Sequence, residues 1–170
     1  MRRAALFPIA VAIAAAGCGA GPDAPAPGET ETVCADSFCI AYPAGWDVVE
    51  STGEFISFSH PLGDGKALAT AAPLNMEALA NAAGETWPIL TEDVARAFWS
   101  LIDGGDAELV NVRTIADGSV STVGTISTGR LWYYLVPTGI SEAVGLEVRG
   151  PNGTWEAHAE LFFAGVDPIE

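Results

Sequence analysis

Leu131-Trp132-Tyr133-Tyr134-Leu135-Val136 runs for six residues without a charge or a small polar side chain. A strand that buries one face alternates apolar with polar, so an unbroken run implies cover on both faces, as on a central strand beneath helices. The other reading leaves one face open. Trp132 and Tyr134, two apart and on the same side, would then line a groove for a ligand or partner, because exposed aromatics mark binding surfaces. General burial tendencies favour the core.

Strand-like segments flank this run at Glu108 to Ile115, Val120 to Ile126 and Val144 to Arg149, with Asp117-Gly118 and Thr128-Gly129 as turns. Sequential antiparallel pairing follows. Two helices precede the group. The first is capped by Asn75, stapled by Leu74 and Leu79, and ended by Gly84. The second starts at Thr91 with Glu92 and Asp93 in its first turn and presents Val94, Phe98 and Leu101 on one face. It stops at Gly104-Gly105, and Glu92 is spaced to pair with Arg96. A last helix is capped by Thr154, with Trp155, Ala159, Phe162, Phe163 and Val166 on one face and Glu156 and Glu160 toward solvent.

Upstream, Phe38 to Tyr42 and Trp46 to Glu50 are strand-like runs broken by the turn Pro43-Ala44-Gly45. Gly53 to Ser59 alternates Ile56 and Phe58 with serines, and Lys66 to Ala72 follows a loop over residues 61–65. This half reads as an antiparallel meander. Strands, helices, strands and a closing helix define an α+β fold, an antiparallel sheet sandwiched by helices.

The stretch Phe38-Cys39-Ile40-Ala41-Tyr42-Pro43-Ala44-Gly45-Trp46, with the element order that follows it, resembles the PsbP-like fold family, over residues 38–166. That family includes many bacterial envelope lipoproteins. The resemblance implies an α/β/α sandwich and an accessory role. Its motif, Tyr-Pro-x-Gly-Trp, is a turn plus a buried tryptophan, so it implies no catalytic residue.

The N-terminus reads as an export signal: Arg2 and Arg3, an apolar run from Leu6 to Ala16, then small residues. The run is shorter than the roughly 20 residues of a bilayer crossing and contains Pro8. Ala14-Ala15-Ala16 suits ordinary signal peptidase, whereas Ala15-Ala16-Gly17-Cys18 resembles the lipobox of bacterial lipoproteins, with alanine at 15 where leucine is usual. Cysteine parity separates the two. Simple secretion leaves three thiols, Cys18, Cys34 and Cys39, an odd number in an oxidising space. Acylation of Cys18 consumes one and leaves Cys34 to pair with Cys39. The expected organisation is a cleaved signal over 1–17, a lipid-anchored tether over 18–32 and one globular domain over 33–170. The tether spans roughly 20 Å if flexible, and durable attachment implies more than one acyl chain. The protein is then placed on the extracytoplasmic face of the cell membrane.

Removing residues 1–17 leaves five basic against 22 acidic residues, a net −17. That excess repels nucleic acid and anionic headgroups, which excludes binding to either through a basic patch. No cofactor motif is present. Gly63-Asp64-Gly65-Lys66 lacks the earlier glycine and the following hydroxyl of a phosphate loop, and no nucleophile elbow, His-Glu-x-x-His or EF-hand spacing occurs. The loop Asp103-Gly104-Gly105-Asp106-Ala107-Glu108 clusters carboxylates that suit weak calcium binding, though acidic glycine turns are common without metal. His60, in a loop before Pro61, and His158, on the last helix, are the two imidazoles. They read as boundary residues packing among aromatics. The preferred expectation is a non-enzymatic binding or accessory module for an envelope protein or small-molecule ligand. The rival is a small hydrolase or metal-dependent enzyme using His60, His158 and the acidic loops.

Overall fold

The computed structural model describes residues 29–62, 65–151 and 156–169. In chain order it comprises β1 (Thr30–Cys34), β2 (Phe38–Pro43), β3 (Asp47–Ser51), β4 (Ile56–Leu62), β5 (Gly65–Asn75), α1 (Met76–Ala82) and α2 (Thr91–Leu101). A 3-10 turn, Ile102–Gly105, leads to β6 (Glu108–Thr114), β7 (Val120–Ile126), β8 (Gly129–Pro137), β9 (Glu142–Gly150), α3 (Glu156–Ala164) and β10 (Val166–Pro168).

A seven-stranded antiparallel sheet runs in the order β3-β4-β5-β9-β8-β7-β6, and a second sheet runs β1-β2-β10. The pairing of β5 with β9, from Leu68 opposite Arg149 to Asn75 opposite Glu142, joins the two halves of the chain. It places the aromatic run of β8 in the interior of the large sheet. Tyr133 and Leu135 face α1 and α2 with Met76 and Val94, while Tyr134 faces the other way, into a core with Phe58, Leu146 and Phe162. The strand is therefore covered on both sides, and the α+β architecture stands: α1 and α2 lie on one face, α3 with the small sheet on the other.

Local chemistry fixes the helices. Asn75 accepts the Ala78 N–H at 2.7 Å, Gly84 supplies the positive φ past the end of α1, and Glu92 pairs with Arg96 at 2.7 Å. α2 docks through Trp99, whose indole N–H donates to the Thr122 hydroxyl at 2.8 Å. That hydroxyl in turn donates to the Tyr133 carbonyl. The Trp99 ring lies where a side chain at position 124 would stand, so Gly124 is the seat of the helix. Trp99 fills the contact with the sheet at that end, and Leu101, expected on the buried face, is 44% exposed.

Four other expectations change. β2 leaves the expected meander and forms the centre of the small sheet, because β1 and β10 offer it two edges. β1 begins at Thr30, so residues 30–32, read as tether, are strand; Thr-Glu-Thr-Val carries β-branched residues suited to an exposed edge. Val166, read as the last turn of α3, starts β10, because the helix stops at Gly165, whose Cα packs against the Ala41 backbone. His60, read as a loop residue, belongs to β4, opposite Ala67. The Thr154 cap, Trp155 and Cys18 lie outside the described residues. Among those described, no helix is long and apolar enough to cross a membrane.

Candidate functional site

Two features arise where α3 lies on the large sheet. The first contains the histidines. Phe58 and His60 share a face of β4, and α3 brings Phe162 and His158 over them: the ring centroids of His60 and His158 are 5.4 Å apart, those of Phe58 and Phe162 5.1 Å. Trp46 completes the cluster, edge-on to Phe162 and tilted against His60. Its indole N–H donates to Nδ1 of His158 at 2.9 Å. Burial, reinforced by His60, holds His158 below the ordinary histidine range.

The structure thus brings together the two imidazoles that the rival enzyme reading grouped, but not the acidic loop grouped with them. Their chemistry is limited by their partners. The lone pair of His158 Nδ1 is occupied by the Trp46 donor, and His60 Nδ1 is buried without a hydrogen bond. Among the described residues, neither imidazole bonds to a serine, threonine or carboxylate. The acidic loop is elsewhere: Asp103 follows α2, on the opposite face of the sheet, and its carboxylate accepts the Ser127 N–H. Among the described residues no group of three or more His, Cys, Asp and Glu is placed to share an ion.

The second feature is an open cleft of about 370 Å³ between the β6 edge of the large sheet and the last turns of α3. Its apolar walls are Ile115, Val136, Phe163 and Val166, and Arg113, Asp117 and Glu160 stand around them. Arg113 of β6 and Glu160 of α3 approach to 3.6 Å, each about half exposed. The β6–β7 turn fixes one side: the Asp117 carboxylate accepts the Ser119 N–H at 2.9 Å, and Gly118 takes φ +88°. A second cleft of about 350 Å³, bounded by Pro73, Leu74, Ala143 and Val144, has Glu142 as its charged residue.

Tyr134 is fully buried, its ring stacked on Phe163 with centroids 4.4 Å apart, so it lines no groove. Trp132, half-buried, stacks beside it at 6.3 Å. The aromatic pair is the floor under α3, and Phe163, the residue that covers Tyr134, reaches the cleft. Cys34 and Cys39 form a disulfide across the first pair of the β1–β2 hairpin.

The sequence did not point to the cleft. Glu160 reads as an ordinary solvent-facing helix residue, and nothing in local periodicity pairs it with Arg113 on a distant strand.

No family model matches the chain, and no curated protein matches it. Eight chains of solved structures do. Among them is a protein from Bacteroides thetaiotaomicron VPI-5482, whose crystal structure was determined at 1.50 Å resolution, with 18% identity and a TM-score of 0.39. The match covers 78% of this chain and 45% of that one, so this chain spans less than half the length of that structure.

Proposed function

We propose that this chain is a bacterial lipoprotein, acylated at Cys18 after removal of its export signal, whose domain is a non-enzymatic binding module on the extracytoplasmic face of the membrane. The observation that carries the binding reading is the cleft beside α3. Its apolar walls meet a few converging charged groups, the usual composition of a small-ligand site. The histidine cluster supports the same side of the choice. A hydrolytic imidazole needs a hydrogen-bonded nucleophile or acid partner, and His158 Nδ1 instead accepts from Trp46.

The PsbP-like resemblance belongs to the same proposal. Supporting it are the Tyr42 to Trp46 turn with Trp46 buried, and helices on both faces of an antiparallel sheet. The anchor rests on the lipobox-like Ala15-Ala16-Gly17-Cys18 and on the Cys34–Cys39 bond, which leaves Cys18 as the one cysteine without a partner thiol in its own chain.

Membrane fractionation of the Cys18→Ala variant tests the placement. The variant is expected in the medium or as unprocessed precursor. Unchanged, detergent-dependent fractionation would contradict lipidation.

A further inference from the structure

We propose that the cleft between β6 and α3 binds a free α-amino acid with an apolar side chain, its carboxylate on Arg113, its ammonium on Glu160, and its side chain against Ile115, Val136 and Phe163. This deepens the binding-module reading and rests on it.

The charges come from opposite walls. Arg113 and Glu160 meet at 3.6 Å with side chains 54% and 58% exposed, and an ion pair so open to water contributes little. A ligand that supplies both charges replaces it at small cost, whereas a ligand with one charge leaves the other wall unpaired. In an α-amino acid the two groups sit on one carbon, so both reach their partners while the side chain enters the apolar part of the cleft. The long, half-exposed Arg113 and Glu160 side chains swing apart to admit them.

Three further features weigh against a ligand that is only an anion. Asp117 lines the same cleft from the β6–β7 turn, so the cleft carries two carboxylates against one guanidinium. The cleft reaches Ala164, the last residue of α3, and the C-terminal end of a helix carries partial negative charge that favours a cation. Without residues 1–17 the chain carries a net −17, a field that repels a simple anion and is indifferent to a neutral zwitterion. At about 370 Å³ the space suits a small molecule rather than a folded partner.

Isothermal titration of the full chain in mild detergent, with leucine, methionine and phenylalanine as probes, tests this. Saturable binding of at least one is expected. Glycine, N-acetyl-leucine and leucinamide, which lack the apolar body, the ammonium and the carboxylate respectively, should each bind at least about tenfold more weakly. Arg113→Gln and Glu160→Gln should each weaken binding on the order of tenfold. Both positions are half exposed, so both variants should fold, and unchanged melting curves check that. The proposal is overturned if none of the three amino acids binds, if N-acetyl-leucine binds as well as leucine, or if neither variant changes the affinity. Such a result leaves the tethered-module reading standing, since that reading is judged by where Cys18→Ala fractionates; the converse failure leaves the titration result intact.

Discussion

The indole N–H of Trp46 donates to Nδ1 of His158 over 2.9 Å, joining the turn after β2 to the first turns of α3 across 112 residues of sequence. The bond needs a neutral imidazole with its lone pair free. It therefore couples the seating of α3 to the protonation state of His158.

Stability should fall as pH drops through the histidine range. His158 is held below its ordinary value by burial and by His60, so between its folded and unfolded pKa the unfolded chain binds more protons than the folded one. In that window stability rises with pH. The contribution is complete above the unfolded value of about 6.5 and is lost as pH falls toward the lowered folded value. Urea midpoints at pH 7.5 and 5.5 should differ more for the wild type than for His158→Asn; equal differences would contradict this.

Trp46→Phe keeps an aromatic ring among Phe58, Phe162 and the histidines but removes the donor. It should cost about 1–3 kcal/mol, because it leaves the His158 Nδ1 acceptor unpaired in a part-buried site, and raise the pKa of His158 in an NMR titration. An unmoved His158 resonance profile would show that the bond does not govern the imidazole.

Gly124→Ala should be among the most destabilising single-methyl additions. Its Cβ would stand 2.6 Å from the Trp99 ring and against the Glu108 carbonyl, and Trp99 is anchored by Thr122. Overpacking of this kind costs about 1–3 kcal/mol, read in denaturant melts. Gly84→Ala, with open space around its Cβ position, meets no such contact and should be limited to the strain of its positive φ.

Removing the disulfide should be mild. Cys34 and Cys39 are five residues apart, and closing so short a loop restricts the unfolded chain by only about 2 kcal/mol. The double Cys→Ala variant should remain folded and cooperative. Loss of the folded state would mean that the β1–β2 hairpin carries far more of the stability than its exposed strand suggests.

The hydrolase reading meets a direct comparison. Wild type and the His60→Ala, His158→Ala double variant should hydrolyse a generic activated ester at the same slow rate. A wild-type rate on the order of 100-fold higher, the usual contribution of a placed acid or base, would favour the enzyme instead.

How much of this was legible in the sequence follows from the range of each signal. Caps and turns are local: Asn75, Gly84, the Glu92–Arg96 pair and the Asp117-Gly118 turn stand where the sequence put them. The unbroken run of β8 read correctly as doubly covered, because its apolarity reports burial on both faces. What escaped depends on non-local pairing. Phe38 to Pro43 looks the same whether it joins the large sheet or a small one, and only β10, at the other end of the chain, decides. Val166 carries an apolar side chain that a helix or a strand could use equally. The histidine cluster and the Arg113–Glu160 cleft are products of where α3 lands on the sheet, a placement set by Phe162 and Phe163 against Phe58 and Tyr134. No spacing within one segment encodes it.

Native mass spectrometry of the protein extracted in mild detergent from its own membranes tests the central claim most directly, since one spectrum reads the acylation, the disulfide and any copurifying molecule together. The account predicts a chain beginning at Cys18, carrying two or three acyl groups and one disulfide, with a small molecule bound in a fraction of the population. A bare chain without acyl groups, with Cys18 as a free thiol and nothing bound, would contradict it.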